Sequence, residues 1–279
     1  YYFLEMRISN HSVLWMGLAS VMLACCMDPS AKEIQNPAIT AIYPTSDTLP
    51  ENLLRLYLHF SKSMRTTGNL EKIRLLDENG REVVGAIFNN VYELWDKEQK
   101  QLTLIFDPSR VKTGLMANEE KGRSLQVGKK YRLVIGRLED VDGHVMKEVY
   151  TKSFYVSGED RLSPNIELWN IELPTANGKS PLVLQFPEML DQLSLRQRLQ
   201  LTNHNNEPIT GVVDIGRRET EWRFTPSEKW VAGDYVLHVH GRLEDPCGNN
   251  LNGLFDHTAG GLKNRREGQI ETIHLKIAN

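Results

Sequence analysis

The pentapeptide Gly-Arg-Leu-Glu-Asp occurs twice, at residues 136–140 and 241–245, and it closes a longer series of positions matched in the same order. Leu56, Leu58 and Phe60 meet Leu182, Leu184 and Phe186 at an offset of 126, which also holds for Met64 and Leu190, Leu75 and Leu201, and Gly85 and Gly211. Leu102-Thr-Leu-Ile-Phe-Asp-Pro108 then meets Thr220-Glu-Trp-Arg-Phe-Thr-Pro226 at 118. Tyr131, Leu133 and Ile135 meet Tyr235, Leu237 and Val239 at 104. The fall from 118 to 104 assigns about 14 extra residues to the first copy, around 111–124. An internal repeat fixes architecture before other signals are weighed. It places one unit at residues 37–157 and a second at 163–279, joined by a linker short enough to restrict their freedom.

Within each copy the apolar residues alternate. Leu54, Leu56, Leu58 and Phe60 are separated by more polar neighbours, the period of a half-buried strand. The turns Asp77-Glu-Asn-Gly80 and Asn203-His-Asn-Asn206 are rich in residues that tolerate positive φ, as hairpins require. Ser153-Phe-Tyr-Val156 and residues 270–277 read as closing strands, and Leu193 to Leu201 reads as a strand with a helical turn as the alternative. Short strands at regular spacing, with no long helical period, predict an all-β chain of sandwiches or barrels.

Several motifs narrow this further. Pro37 and Pro164 open the copies, and strands end in Phe60-Ser-Lys-Ser-Met64 and Phe186-Pro-Glu-Met-Leu190. Phe106-Asp-Pro108 and Phe224-Thr-Pro226 follow, with Glu244-Asp-Pro-Cys-Gly-Asn-Asn-Leu251 closing the second copy. This pattern resembles the bacterial Ig-like domain of S-layer and surface proteins over nearly the whole chain. The first copy departs from it, with Asp140-Val-Asp-Gly143-His144 at the closing turn and Arg65 after Met64. The resemblance implies two tandem immunoglobulin-like β-sandwich domains on a cell surface or in a periplasm, with no particular activity attached.

The N-terminus carries an address. From Met6 the chain has one cationic residue, Arg7, then an apolar core from Val13 to Ala24, then Cys25-Cys26. A short apolar core ending in small residues matches a secretory signal, and it is too short to span a bilayer, which takes ~20 residues. Its end resembles the bacterial lipoprotein box, whose acylated cysteine anchors the mature protein. Cys25 has the favoured Ala before it and Cys26 has Leu at the third position before it, so either is the candidate lipid anchor. Residues 1–26 are thus assigned to a signal peptide with its lipid box, and residues 27–36 to a tether. The remaining cysteine, Cys247, has no partner for a disulfide and reads as a small residue in a turn. A net charge of -3 offers no basic stripe for nucleic acid.

Candidate chemistry is sparse. Asp140, Asp142 and Asp245 sit in tight turns beside Glu139 and Glu244 and are the candidate calcium ligands, although no third and fourth carboxylate lies nearby in sequence and calcium takes six or more oxygens. His238 and His240 share a strand face, as do Glu219 and Glu221, the beginnings of a zinc site or a glycosidase pair. Trp222 and Trp230 align with core positions of the first copy, whereas Trp95 and Trp169 have no such counterpart and are the candidate ligand-binding residues. The segments 111–124 and 252–268, the second carrying Lys263, Arg265 and Arg266, are long loops of the kind that carry binding. No hydrolase, phosphate-loop or dinucleotide motif is present. The expected role is a binding, adhesion or spacer lipoprotein of a bacterial envelope, favouring the outer membrane or cell surface. It would have no cofactor and no catalysis, and its partners would be the membrane and a protein or glycan. The alternative is a glycan-binding accessory protein of a polysaccharide system.

Overall fold

Period-two alternation becomes strands throughout the computed structural model, which describes residues 35–89, 92–257 and 268–279. The expected signal segment with Cys25 and Cys26, most of the expected tether, and Lys263, Arg265 and Arg266 lie outside the described residues. The first eight strands are β1 (Ile39–Tyr43), β2 (Thr48–Pro50), β3 (Arg55–Phe60), β4 (Ile73–Leu76), β5 (Leu94–Trp95), β6 (Gln101–Ile105), β7 (Lys130–Ile135) and β8 (Tyr150–Ser157). They form two sheets ordered β1-β3-β6-β5 and β2-β8-β7-β4. Every pairing is antiparallel except β2 with β8. Leu56, Leu58, Leu102 and Leu104 from one sheet meet Leu75, Leu133, Ile135, Phe154 and Val156 from the other, all buried in one apolar cluster.

A second pair of sheets follows, built from β9 (Asn170–Glu172), β10 (Leu182–Gln185), β11 (Leu199–Asn203), β12 (Gly211–Ile215), β13 (Glu221–Pro226), β14 (Gly233–His240) and β15 (Ile270–Ile277). Their orders are β12-β13-β10-β9 and β11-β14-β15, antiparallel throughout. Leu182, Leu184, Trp222 and Phe224 pack against Leu201, Leu237, Val239, Leu275 and Ile277 in a separate buried cluster. The chain is an all-β sandwich protein, with two such cores among the described residues. At the hairpins, Gly80 and Asn206 take the positive φ that the turn residues foreshadow.

The strand reading of Leu193 to Leu201 holds only in part. Helix α3, after α1 (Pro108–Val111) and α2 (Met116–Lys121), runs over Gln192–Gln197 before β11 begins. Asp191 starts α3 by accepting the backbone N–H of Ser194, as an N-cap carboxylate does. Helices α1 and α2 likewise occupy part of the segment read as an enlarged loop. Among the described residues, no helix is long and apolar enough to cross a membrane.

The outer face of β3 is covered as well as its inner one. Leu56, Leu58 and Phe60 point into the first core, while Tyr57, on the opposite face, is also buried. Its hydroxyl donates to Asp191 Oδ2 at 2.7 Å, and the Arg55 guanidinium pairs with Glu244. Thr45 N–H donates to both oxygens of Glu219, and Leu54 N–H to the carbonyl of Pro246. Met189 and Phe255, both from segments beyond the linker, pack against the first core. Loops following β10, β12 and β14 therefore close over one face of the first sandwich and make a seam between the two. Leu54, which the alternation assigns to the core, instead lies beside Gly248 in this seam.

Candidate functional site

The exposed aromatic surface is concentrated on the first sandwich. Trp95, at the end of the edge strand β5, is half-buried against Phe60 at 5.5 Å between ring centroids, and its Nε1 donates to Glu93 at 3.0 Å. Glu93 in turn accepts the backbone N–H groups of Asn69 and Leu70 and the Asn69 amide, so its charge is fixed in place. Burial pushes the Glu93 carboxyl up, but these donors outweigh it and hold it below the usual carboxylate range. Tyr92 is 78% exposed. Together with Thr66, Thr67, Glu71 and Asn89, Tyr92 and Trp95 line a groove of about 390 Å³. Hydroxyls, an amide, the carboxylates of Glu71 and Glu93 and two aromatic rings thus line one concavity. A groove of similar size, about 380 Å³, lies on the second sandwich over Trp230 and Tyr235. Those two rings are buried, however, and present little face to a ligand.

Trp169 is not available for stacking, contrary to the expectation for it. It is only 8% exposed and meets Phe186 edge-on at 4.8 Å inside the second core. A tryptophan without a counterpart in the other copy can fill a core gap as readily as form a site. Trp222 and Trp230 are both buried in that core.

The acidic turns are built alike. Asp140 Oδ1 accepts the backbone N–H groups of Asp142 (3.0 Å) and His144 (2.8 Å), while Oδ2 meets Lys62 Nζ at 3.3 Å and the His144 ring at 3.2 Å. Burial raises the Asp140 carboxyl, but these donors win and hold it below its ordinary value. Asp245 Oδ1 accepts Cys247 N–H (2.7 Å) and Asn249 N–H (2.9 Å), and Oδ2 accepts the Asn249 amide (2.8 Å). In both turns the aspartate ties down its own backbone. Each also stands in a group of three side chains with the geometry to hold a metal ion, Asp140 with Asp142 and His144, Asp245 with Asp160 and Glu188. The second group was invisible in sequence, where no third carboxylate lies near Asp245, because folding brings in Asp160 from the linker and Glu188 from the loop after β10.

The remaining pairs are occupied. Glu219 is fully buried and receives Thr45 N–H, while Glu221 accepts Arg223 Nε at 2.6 Å. His238 Nε2 lies 3.0 Å from Thr202 Oγ1, and His240 Nδ1 accepts the Arg242 N–H. Cys247 is a free, buried thiol that donates to Asn52 Oδ1 across the seam, and burial raises its pKa well above the ordinary value.

No family model matches the chain, and no curated protein matches it. Among solved structures, CopC from Methylosinus trichosporium OB3b is 19% identical, over 45% of this chain and 98% of that one, with a TM-score of 0.30. The S-layer protein rSbsC is 10% identical over 88% of this chain, at a TM-score of 0.31, and the match spans only 41% of the S-layer chain. Native alpha-2-macroglobulin from Escherichia coli is 10% identical over 87% of this chain and 72% of that one, at a TM-score of 0.29. The chain is similar to these proteins at that level, and its sandwich architecture rests on its own sheets and cores.

Proposed function

We propose that this chain is a non-catalytic binding module of a bacterial envelope, anchored by lipid at Cys25 or Cys26, and that the groove between Tyr92 and Trp95 takes a glycan. The groove carries the reading. Sugars present apolar C–H faces edged by hydroxyls, and a ligand site for them combines aromatic faces with a few hydrogen-bonding groups. Tyr92 and Trp95 supply the faces; Thr66, Thr67, Asn89 and Glu71 supply donors and acceptors at the rim. Glu219 and Glu221, the pair considered for hydrolysis, are spent on Thr45 and Arg223.

The test is a glycan array, with any hit followed by titration against Tyr92→Ala. Tyr92 is largely exposed, so its loss leaves the fold intact, and affinity is expected to fall at least tenfold, about 1.4 kcal/mol. No binder above background, or equal affinity in the variant, overturns the glycan assignment. Anchoring is tested separately by labelling with radioactive palmitate. Label is expected in wild type and lost in the Cys25→Ser, Cys26→Ser double variant; equal labelling in both refutes the anchor.

A further inference from the structure

The groove between Tyr92 and Trp95 carries charge of one sign. Glu71 and Glu93 both line it, and among the described residues no lysine, arginine or histidine does. Glu71 stands in the short 3-10 turn Leu70–Lys72 and is exposed. Glu93 sits against the start of the same turn, because its carboxylate accepts the Asn69 and Leu70 N–H groups. The Asn69 amide and the Trp95 indole N–H supply two further donors. All of these donors are neutral, so they fix the Glu93 charge in place without cancelling it.

The cations that flank this stretch of chain face elsewhere. Arg65 pairs with Glu139 at 3.2 Å, and Lys72 lies beside Gly136. The aromatic rings share the preference of the carboxylates. Tyr92 is 78% exposed, and the face of an aromatic ring attracts a cation through its quadrupole. An acidic group entering the groove therefore meets two like charges and two ring faces, none of which attracts it. An ammonium entering at the same place is attracted by all four.

We propose that the groove selects a sugar bearing a free, protonated amine and excludes acidic sugars, with Glu71 as the carboxylate that discriminates. The assignment rests on the reading of this groove as a glycan site and names the class of glycan. Glu93 is tied by its four donors and sets the sign of the field; Glu71 is exposed on its turn and able to reach the ammonium. An exposed ion pair contributes up to about fivefold in affinity, and a cation over an exposed ring about as much.

The test is a glycan array probed with the full-length chain at pH 6 and low salt. It carries the same sugar backbones in three forms: free amine, N-acetylated and uronic acid. Matched oligosaccharides of each form are then titrated by calorimetry. The amine form is expected to bind at least about fivefold tighter than the N-acetylated form, and the acidic form more weakly than either. Glu71→Gln, an exposed change that leaves the fold intact, is expected to cut the amine preference at least about threefold while the N-acetylated form keeps its affinity. Raising the salt to 0.5 M should shrink the wild-type preference in the same direction. An amine preference below fivefold, an acidic form that binds as well as the neutral one, or a preference untouched by Glu71→Gln overturns the proposal and leaves the groove a glycan site. Binding of none of the three forms overturns the glycan reading, and this assignment with it.

Discussion

At the scale of single residues, the seam depends on a few side chains placed without slack. Tyr57 and Asp191 are both buried and joined at 2.7 Å, and burial first, then the Asp191 charge, raise the Tyr57 hydroxyl far above its ordinary value. Burial also lifts Asp191 to about 6, against the Tyr57 hydroxyl and the Ser194 N–H. Tyr57→Phe removes one donor and leaves a buried carboxylate oxygen partly unmet, which costs about 1–3 kcal/mol by urea denaturation. The sign of the pH dependence follows from the raised Asp191: that cost should be smaller at pH 5 than at pH 8, because the protonated acid tolerates the loss better. Gly248 has φ +82°, and a Cβ there would sit 2.8 Å from Leu54 Cδ2. Gly248→Ala therefore meets both backbone strain and a contact across the seam, and should destabilise the protein by about 1–3 kcal/mol. A variant as stable as wild type would show that Leu54 moves aside and the backbone relaxes without cost.

At the scale of elements, strand β3 shows what alternation reveals and what it conceals. Leu56, Leu58 and Phe60 were legible as one face, and that face is in the first core. Leu58→Ala there should cost about 2–5 kcal/mol in urea melts, whereas Val212→Thr, on the exposed strand β12, should change stability by about 0.5 kcal/mol or less. The opposite face of β3, Arg55 and Tyr57, read only as more polar. Period two says which side a residue faces and nothing about what covers that side. Its cover comes from Asp191 and Glu244, more than a hundred residues away, and no local pattern reports such a pairing. Helix α3 was ambiguous for a related reason: Leu195 and Leu199 suit either period, and the Asp191 cap that decides the matter also carries a seam contact. At the candidate groove, Trp95 was legible as an aromatic without a core counterpart. Tyr92 was not singled out, since a lone tyrosine between strands has no pattern to mark it. Trp169 gave the same signal as Trp95 and fills a core instead.

At the scale of the whole molecule, the described body has two apolar cores and, between them, a seam that mixes polar pairs with apolar side chains such as Leu54, Met189 and Phe255. The Arg123 network with Glu51, Glu159 and Asp256 borders that seam, and Thr113 bonds to Asp256 across it. Two cores so tied should melt together. Differential scanning calorimetry at pH 6 is expected to show a single transition, and two resolved transitions would mean that the seam carries little free energy.

The turn from Asp245 to Asn249 carries a practical lesson about parts. Its Cys247 thiol and its Asn249 amide reach Asn52 and the Asp160 carbonyl, so the loop belongs in space to both halves of the chain. Cutting at the linker, the obvious place on paper, would strip Leu54 and Phe255 of their cover and leave Glu219 and Asp191 facing solvent without Thr45 and Tyr57. Anyone hoping to borrow one sandwich as a stand-alone building block should expect a sticky half-surface rather than a finished module, and would need to redesign that face first.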